Sequence, residues 1–107
     1  MLDVHSAHSE DAASKMHPVC SFEIDILSGL FHGGAAMPSA YPMLNRMRDY
    51  YSDCAFAPDE LTTLAREIDR YLMPLGPKHP YRPTLTQFRD ACQNAIKNGH
   101  SLFLFCD

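Results

Sequence analysis

"CSFEIDIL", residues Cys20 to Leu27, governs how the chain is read, because its apolar residues recur at every second position. Cys20, Phe22, Ile24 and Ile26 would point one way and Ser21, Glu23 and Asp25 the other, the signature of a strand with one buried face. If this is the first strand, the residues before it lie outside the fold and those after it must cover its apolar side.

The preceding stretch, residues 1–18, is rich in Ser, Ala, His and acids and follows neither the strand nor the helix period, which predicts a disordered tail. Residues 19–107 are then a single α+β domain. After the strand, "SGLFHGGAAMPSAYP" reads as a loop, since no regular element would carry three glycines and two prolines so closely. From Ser39 to Ser52 the period becomes helical, with Met43, Leu44, Met47, Tyr50, Tyr51 and Cys54 on one arc. A second helix opens at Pro58 with Asp59 and Glu60 in its first turn, and its core face is Leu61, Leu64, Ala65, Ile68, Tyr71 and Leu72. The proline-rich "MPLGPKHPYRP" then serves as a stiff linker. A third helix runs from Thr84, where Gln87 completes a capping-box pattern, to Gly99, with Leu85, Phe88, Ala91, Cys92, Ala95 and Ile96 as its stripe. "SLFLFC" closes the chain as a buried strand. The expected architecture is α+β, with three amphipathic helices packed on a small two-stranded sheet formed by the N- and C-terminal strands.

With 107 residues the chain has room for one core, and its net charge of −4 opposes unassisted binding to nucleic acid or to anionic membranes. A basic protein partner suits that sign. The N-terminus lacks a leader-like apolar run and no stretch is long enough to span a bilayer, so a cytoplasmic protein is expected, its four cysteines reduced.

Several patterns could carry chemistry. The glycine-rich "GLFHGGAAMPS" lies where phosphate loops lie but has neither G-K-[ST] nor G-x-G-x-x-G, so it reads as a connecting loop. His5 and His8, then His17 and Cys20, have the spacing of half a zinc site, against which stands a polar tail with nothing to set tetrahedral geometry. Cys54, Cys92 and Cys106 fall on apolar stripes, where thiols behave as small apolar groups instead of nucleophiles. Glu23 and Asp25 are roughly 6–7 Å apart by strand rise, a spacing an acid/base pair could use and a solvated strand face explains equally. "PKHPYR" fits a polyproline ligand pattern that chance often produces. No metal, cofactor or catalytic set is expected from these residues.

The acids of the middle segment point elsewhere. Asp49 and Asp53, four apart near a helix C-terminus, repel one another and oppose the dipole, so stability alone does not select them. The expected partner-binding surface is Glu23, Asp25, Asp49, Asp53, Asp59 and Glu60 with exposed tyrosine edges. Two other readings remain: a small metal-binding or thiol-dependent enzyme or regulator built on the glycine loop, His32 and the Cys/His set, and a homodimer joined through strand edges.

The alternating first strand, "YPMLNRMRDYYSD", "FAPDELTTLAREIDRYL" and the final "NGHSLFLFCD" together resemble the small cytosolic immunity proteins of bacterial polymorphic-toxin systems, over residues 20–107. The resemblance implies a non-enzymatic protein that binds a cognate toxin and covers its active site or substrate surface. Many such toxins are nucleases with basic grooves, which an acidic inhibitor would complement. No catalytic residues carry over, and the His-rich segment before Cys20 has no counterpart in that pattern.

Overall fold

The computed structural model describes residues 1–32, 39–49 and 51–106. Its fold is α+β, as expected, but among the described residues the sheet has four antiparallel strands and the α-helices number four. The elements are β1 (Leu2–Ala7), α1 (Glu10–Ala13), β2 (Cys20–Phe22), α2 (Ile24–Phe31), a 3-10 turn (Leu44–Met47), β3 (Cys54–Phe56), α3 (Pro58–Leu72), α4 (Arg82–Asn98) and β4 (Ser101–Cys106). The strand order is β2-β1-β4-β3.

The two-stranded expectation fails first in the segment read as a tail. β1 lies inside it and is an inner strand, pairing with β4 from Leu2↔Cys106 to Ala7↔Ser101 and with β2 from Leu2↔Phe22 to Val4↔Cys20. Its own sequence, "LDVHSA", has only two large apolar residues, Leu2 and Val4, both fully buried. Neighbours on both sides hold the strand in place, so its composition conceals it.

"CSFEIDIL" is a strand only as far as Phe22. From Ile24 the chain is helical, because Leu27, Leu30 and Phe31 at helical spacing bury completely, whereas Ile24, inward on the strand reading, is exposed. The helix period therefore wins where the two patterns overlap. Gly29 sits where the Tyr81 hydroxyl packs onto α2, leaving no room for a Cβ.

The helix expected over 39–52 is also corrected. Only the 3-10 turn forms, burying Leu44 and Met47, and Tyr51 is 70% exposed instead of facing the core. Cys54, expected at the end of that helix, begins β3. Both Oε atoms of the buried Glu67 accept backbone N–H groups of this turn, from Met43 at 3.1 Å and Leu44 at 2.9 Å, and so tie it to α3. Tyr50 and the glycine-loop residues 33–38 lie outside the described residues.

α3 follows its sequence pattern, and α4 follows its own except at Ile96, which was expected on the buried stripe and is 39% exposed. All six residues expected on the α3 core face are buried, and α4 ends at Gly99 with φ 68°, the left-handed C-terminal position. The α3 first turn is half of a capping box: the Glu60 carboxylate accepts the Ala57 N–H at 2.8 Å, and alanine has no group to return the bond. The Thr84/Gln87 cap is not used, since α4 starts two residues earlier, at Arg82. The prolines between the helices form successive turns, closed by Arg82, whose guanidinium donates to the carbonyls of Leu72, Leu75 and Gly76 at the α3 C-terminus.

Strand alternation gives the sheet two unlike faces. The inner face, with Leu2, Val4, Phe22, Phe56, Leu102 and Leu104, joins the core built by α2, α3 and α4. The outer face carries Asp3, His5, Ala7, Ala55, Phe103 and Phe105. Ala7 and Ala13 are buried but stand apart from that core, so α1 covers the outer face over the end of β1.

Candidate functional site

The six acids of the expected surface are not one patch. Glu23 follows β2 at one sheet edge and, with Asp25, occupies the start of α2. Asp49 and Asp53 precede β3 at the opposite edge, three strand intervals away, about 14 Å by strand spacing. Asp59 and Glu60 lie past the other end of β3, in the first turn of α3.

They also differ in what they do. Asp53 accepts the Cys106 backbone N–H at 2.9 Å, which extends the β3–β4 junction by one bond beyond their paired residues. Asp49 accepts the Ser52 hydroxyl at 2.9 Å within the turn leading to β3. Both acids that lacked a structural reason in the sequence thus have one. Glu60 is engaged twice, by the Ala57 N–H and by Arg46 at 2.6 Å, and its pKa falls below the ordinary carboxylate value, chiefly through the Ala57 bond and secondarily through Arg46. Glu23, Asp25 and Asp59 are solvent-exposed, and their carboxylates make no hydrogen bond or ion pair among the described residues.

Arg46 organises the junction between these acids. Its guanidinium lies over the Phe56 ring at 4.7 Å from the centroid, pairs with Glu60, and donates to the Ala55 carbonyl at 2.6 Å. Among the described residues β3 pairs only with β4, so this bond occupies part of a strand edge that they leave open and opposes addition of another strand there. Beside it, His32, Asn45, Arg46, Arg48, Asp49 and Tyr51 line a cleft of about 530 Å³. Two arginines suggest an anion site, but the Arg46 charge is already paired with Glu60.

No family model, curated protein or solved structure matches the chain. Function therefore rests on the chemistry of these residues.

That chemistry gives little support to metal or thiol catalysis. His5, on β1, and His8, in the bend just past it, have different surroundings: His5 lies against Phe105 with ring centroids 5.0 Å apart, and His8 meets His100 edge-on at 4.3 Å. His17 is exposed in the turn before β2, and among the described residues no three His, Cys, Asp or Glu side chains converge on a possible ion. Burial pushes the Cys20 thiol up to about 11 and the Cys92 thiol up to about 12, and raises Cys54 as well, against a partial opposing pull from Arg46. These three are protonated near neutrality and correspondingly poor nucleophiles.

Two features are missed by the sequence patterns. Glu67 lies between Leu64 and Ile68, three residues from the first, so the helix period places it on the flank of the buried stripe; a polar residue there signals an internal partner. Phe103 and Phe105 belong to a run expected to be largely buried, but alternation within "SLFLFC" sends Leu102 and Leu104 inward and both phenylalanines outward.

Proposed function

We propose that the chain is a non-enzymatic binding protein for a cationic protein partner, and that it serves as the immunity protein that neutralises a cognate bacterial toxin in the cytoplasm. The observation that carries this reading is the set Glu23, Asp25 and Asp59, exposed carboxylates with no internal partner among the described residues, in a chain of net charge −4. Unpaired surface acids add self-repulsion and little stability, whereas they accelerate encounter with a basic surface. Their distribution over both edges of the sheet suits long-range attraction of a groove-sized basic surface.

The test is capture with tagged full-length chain at low salt, followed by expression of the captured polypeptide with and without the chain. A toxin partner stops growth alone and is neutralised on co-expression, and the complex weakens as ionic strength rises. A captured polypeptide that is harmless to cells, or a complex indifferent to salt, contradicts the reading.

A further inference from the structure

The outer face of the sheet supplies the place where such a partner would anchor. β4 sends Phe103 and Phe105 outward, both only partly covered, with ring centroids 6.5 Å apart and planes within 17° of parallel. Ala55 stands across from Phe103 on β3, small enough to leave the ring uncovered. Glu10, at the start of α1, and Asp53, before β3, flank the rings, and together with Cys54 these residues line a hollow of about 150 Å³. The Glu10 carboxylate has no partner among the described residues. Asp53 uses Oδ1 for the Cys106 N–H, which leaves its second oxygen and its charge for a ligand.

Aromatic faces carry negative potential, and two acids at the rim add to it. Phosphate or an anionic lipid headgroup would be repelled. An uncharged apolar side chain would leave the acids without use. A planar guanidinium stacks on aromatic rings and donates to carboxylates at once, which an ammonium does less well. We propose that this hollow is a cation–π seat that takes an arginine side chain of the partner protein. The proposal rests on reading the chain as a binder of a cationic protein, and it names the outer sheet face, not the helical side, as the surface that touches the partner.

The seat can be tested without the partner, by NMR titration of the full labelled chain with acetyl-Gly-Arg-Gly-amide and its citrulline analogue. Citrulline keeps the shape and removes the charge. Saturable shifts of the Phe103 and Phe105 ring protons and the Ala55 amide are expected with the arginine peptide. Binding should be weaker by roughly fivefold with citrulline, the scale of one exposed cation–π contact, and similarly reduced in Glu10→Gln/Asp53→Asn. The amide oxygen introduced by Asp53→Asn would still accept the Cys106 N–H, so that variant should keep its fold, which its amide spectrum verifies. Absence of shifts at the two rings, or equal binding of the citrulline peptide, overturns the seat. So does a dimer of the wild type that dissociates in the same double variant, because the occupant would then be a second copy of the chain. Failure in this titration leaves partner capture untouched, whereas a filled seat with no toxin captured removes the parent reading alone.

Discussion

Glu67 is 3% exposed, the only carboxylate so deeply buried among the described residues, and its two oxygens hold consecutive backbone N–H groups of the 3-10 turn. A hydrogen bond to a charged group contributes about 1.5–3 kcal/mol, and truncation would leave the Leu44 N–H buried without an acceptor. Glu67→Ala should therefore lower stability by about 2–4 kcal/mol in urea unfolding, with Glu67→Gln losing less. The Cys92 thiol, buried, and the Cys20 thiol, half-buried, act on the alkaline side. A thiol whose folded pKa is raised holds its proton when the unfolded chain releases it, so its contribution is complete below the ordinary value of 9.0 and is lost as pH climbs. Stability should decline from about pH 9 towards the folded values near 11 and 12, and the decline should be shallower in Cys92→Ala, read from unfolding midpoints at each pH.

At the scale of elements, β1 is the decisive piece. It is hydrogen-bonded on both sides, and its removal would separate β2 from β4 and uncover Leu102, Leu104 and Phe22. A chain starting at His17 should fail to fold, shown by collapsed amide dispersion in NMR, whereas a dispensable tail would leave the spectrum of 19–107 intact. α3, α4 and β4 were legible because each carries its own signal: a long 3.6-residue stripe with Pro58 at the start, Gly99 at the end, and a terminal apolar run. β1 and β3 were not, because their stability comes from pairing and their few apolar residues make no period alone. α2 was hidden by an accident of overlap, since Phe22, Ile24 and Ile26 continue an alternation that the backbone abandons. The 3-10 turn shares the i, i+3 spacing of a helix, so apolar spacing alone does not separate the two. The candidate site shows the same division. Types and exposure of the acids were readable from sequence, but the acceptor role of Asp53 and the gathering of Glu10, Asp53, Phe103 and Phe105 depend on strands distant in sequence.

For the whole molecule, the sheet divides labour between its faces. The inner face and α2, α3 and α4 make the core, and the outer face stays partly open with aromatic rings and acids at its border. Around it the net charge of −4 draws basic surfaces from any side, so attraction and seating are separate properties that mutation can separate. Charge reversal of the unpaired acids should slow association, and loss of the aromatic rings should speed dissociation. The most direct test is the affinity of the captured partner for the wild type and for Glu23→Lys/Asp25→Lys/Asp59→Lys, measured beside the unfolding midpoint of each. Affinity is expected to fall at least about tenfold, as for loss of about 1.4 kcal/mol of attraction, with stability changed by less than about 2 kcal/mol. Unchanged affinity in a folded variant would contradict electrostatic recognition of a cationic partner.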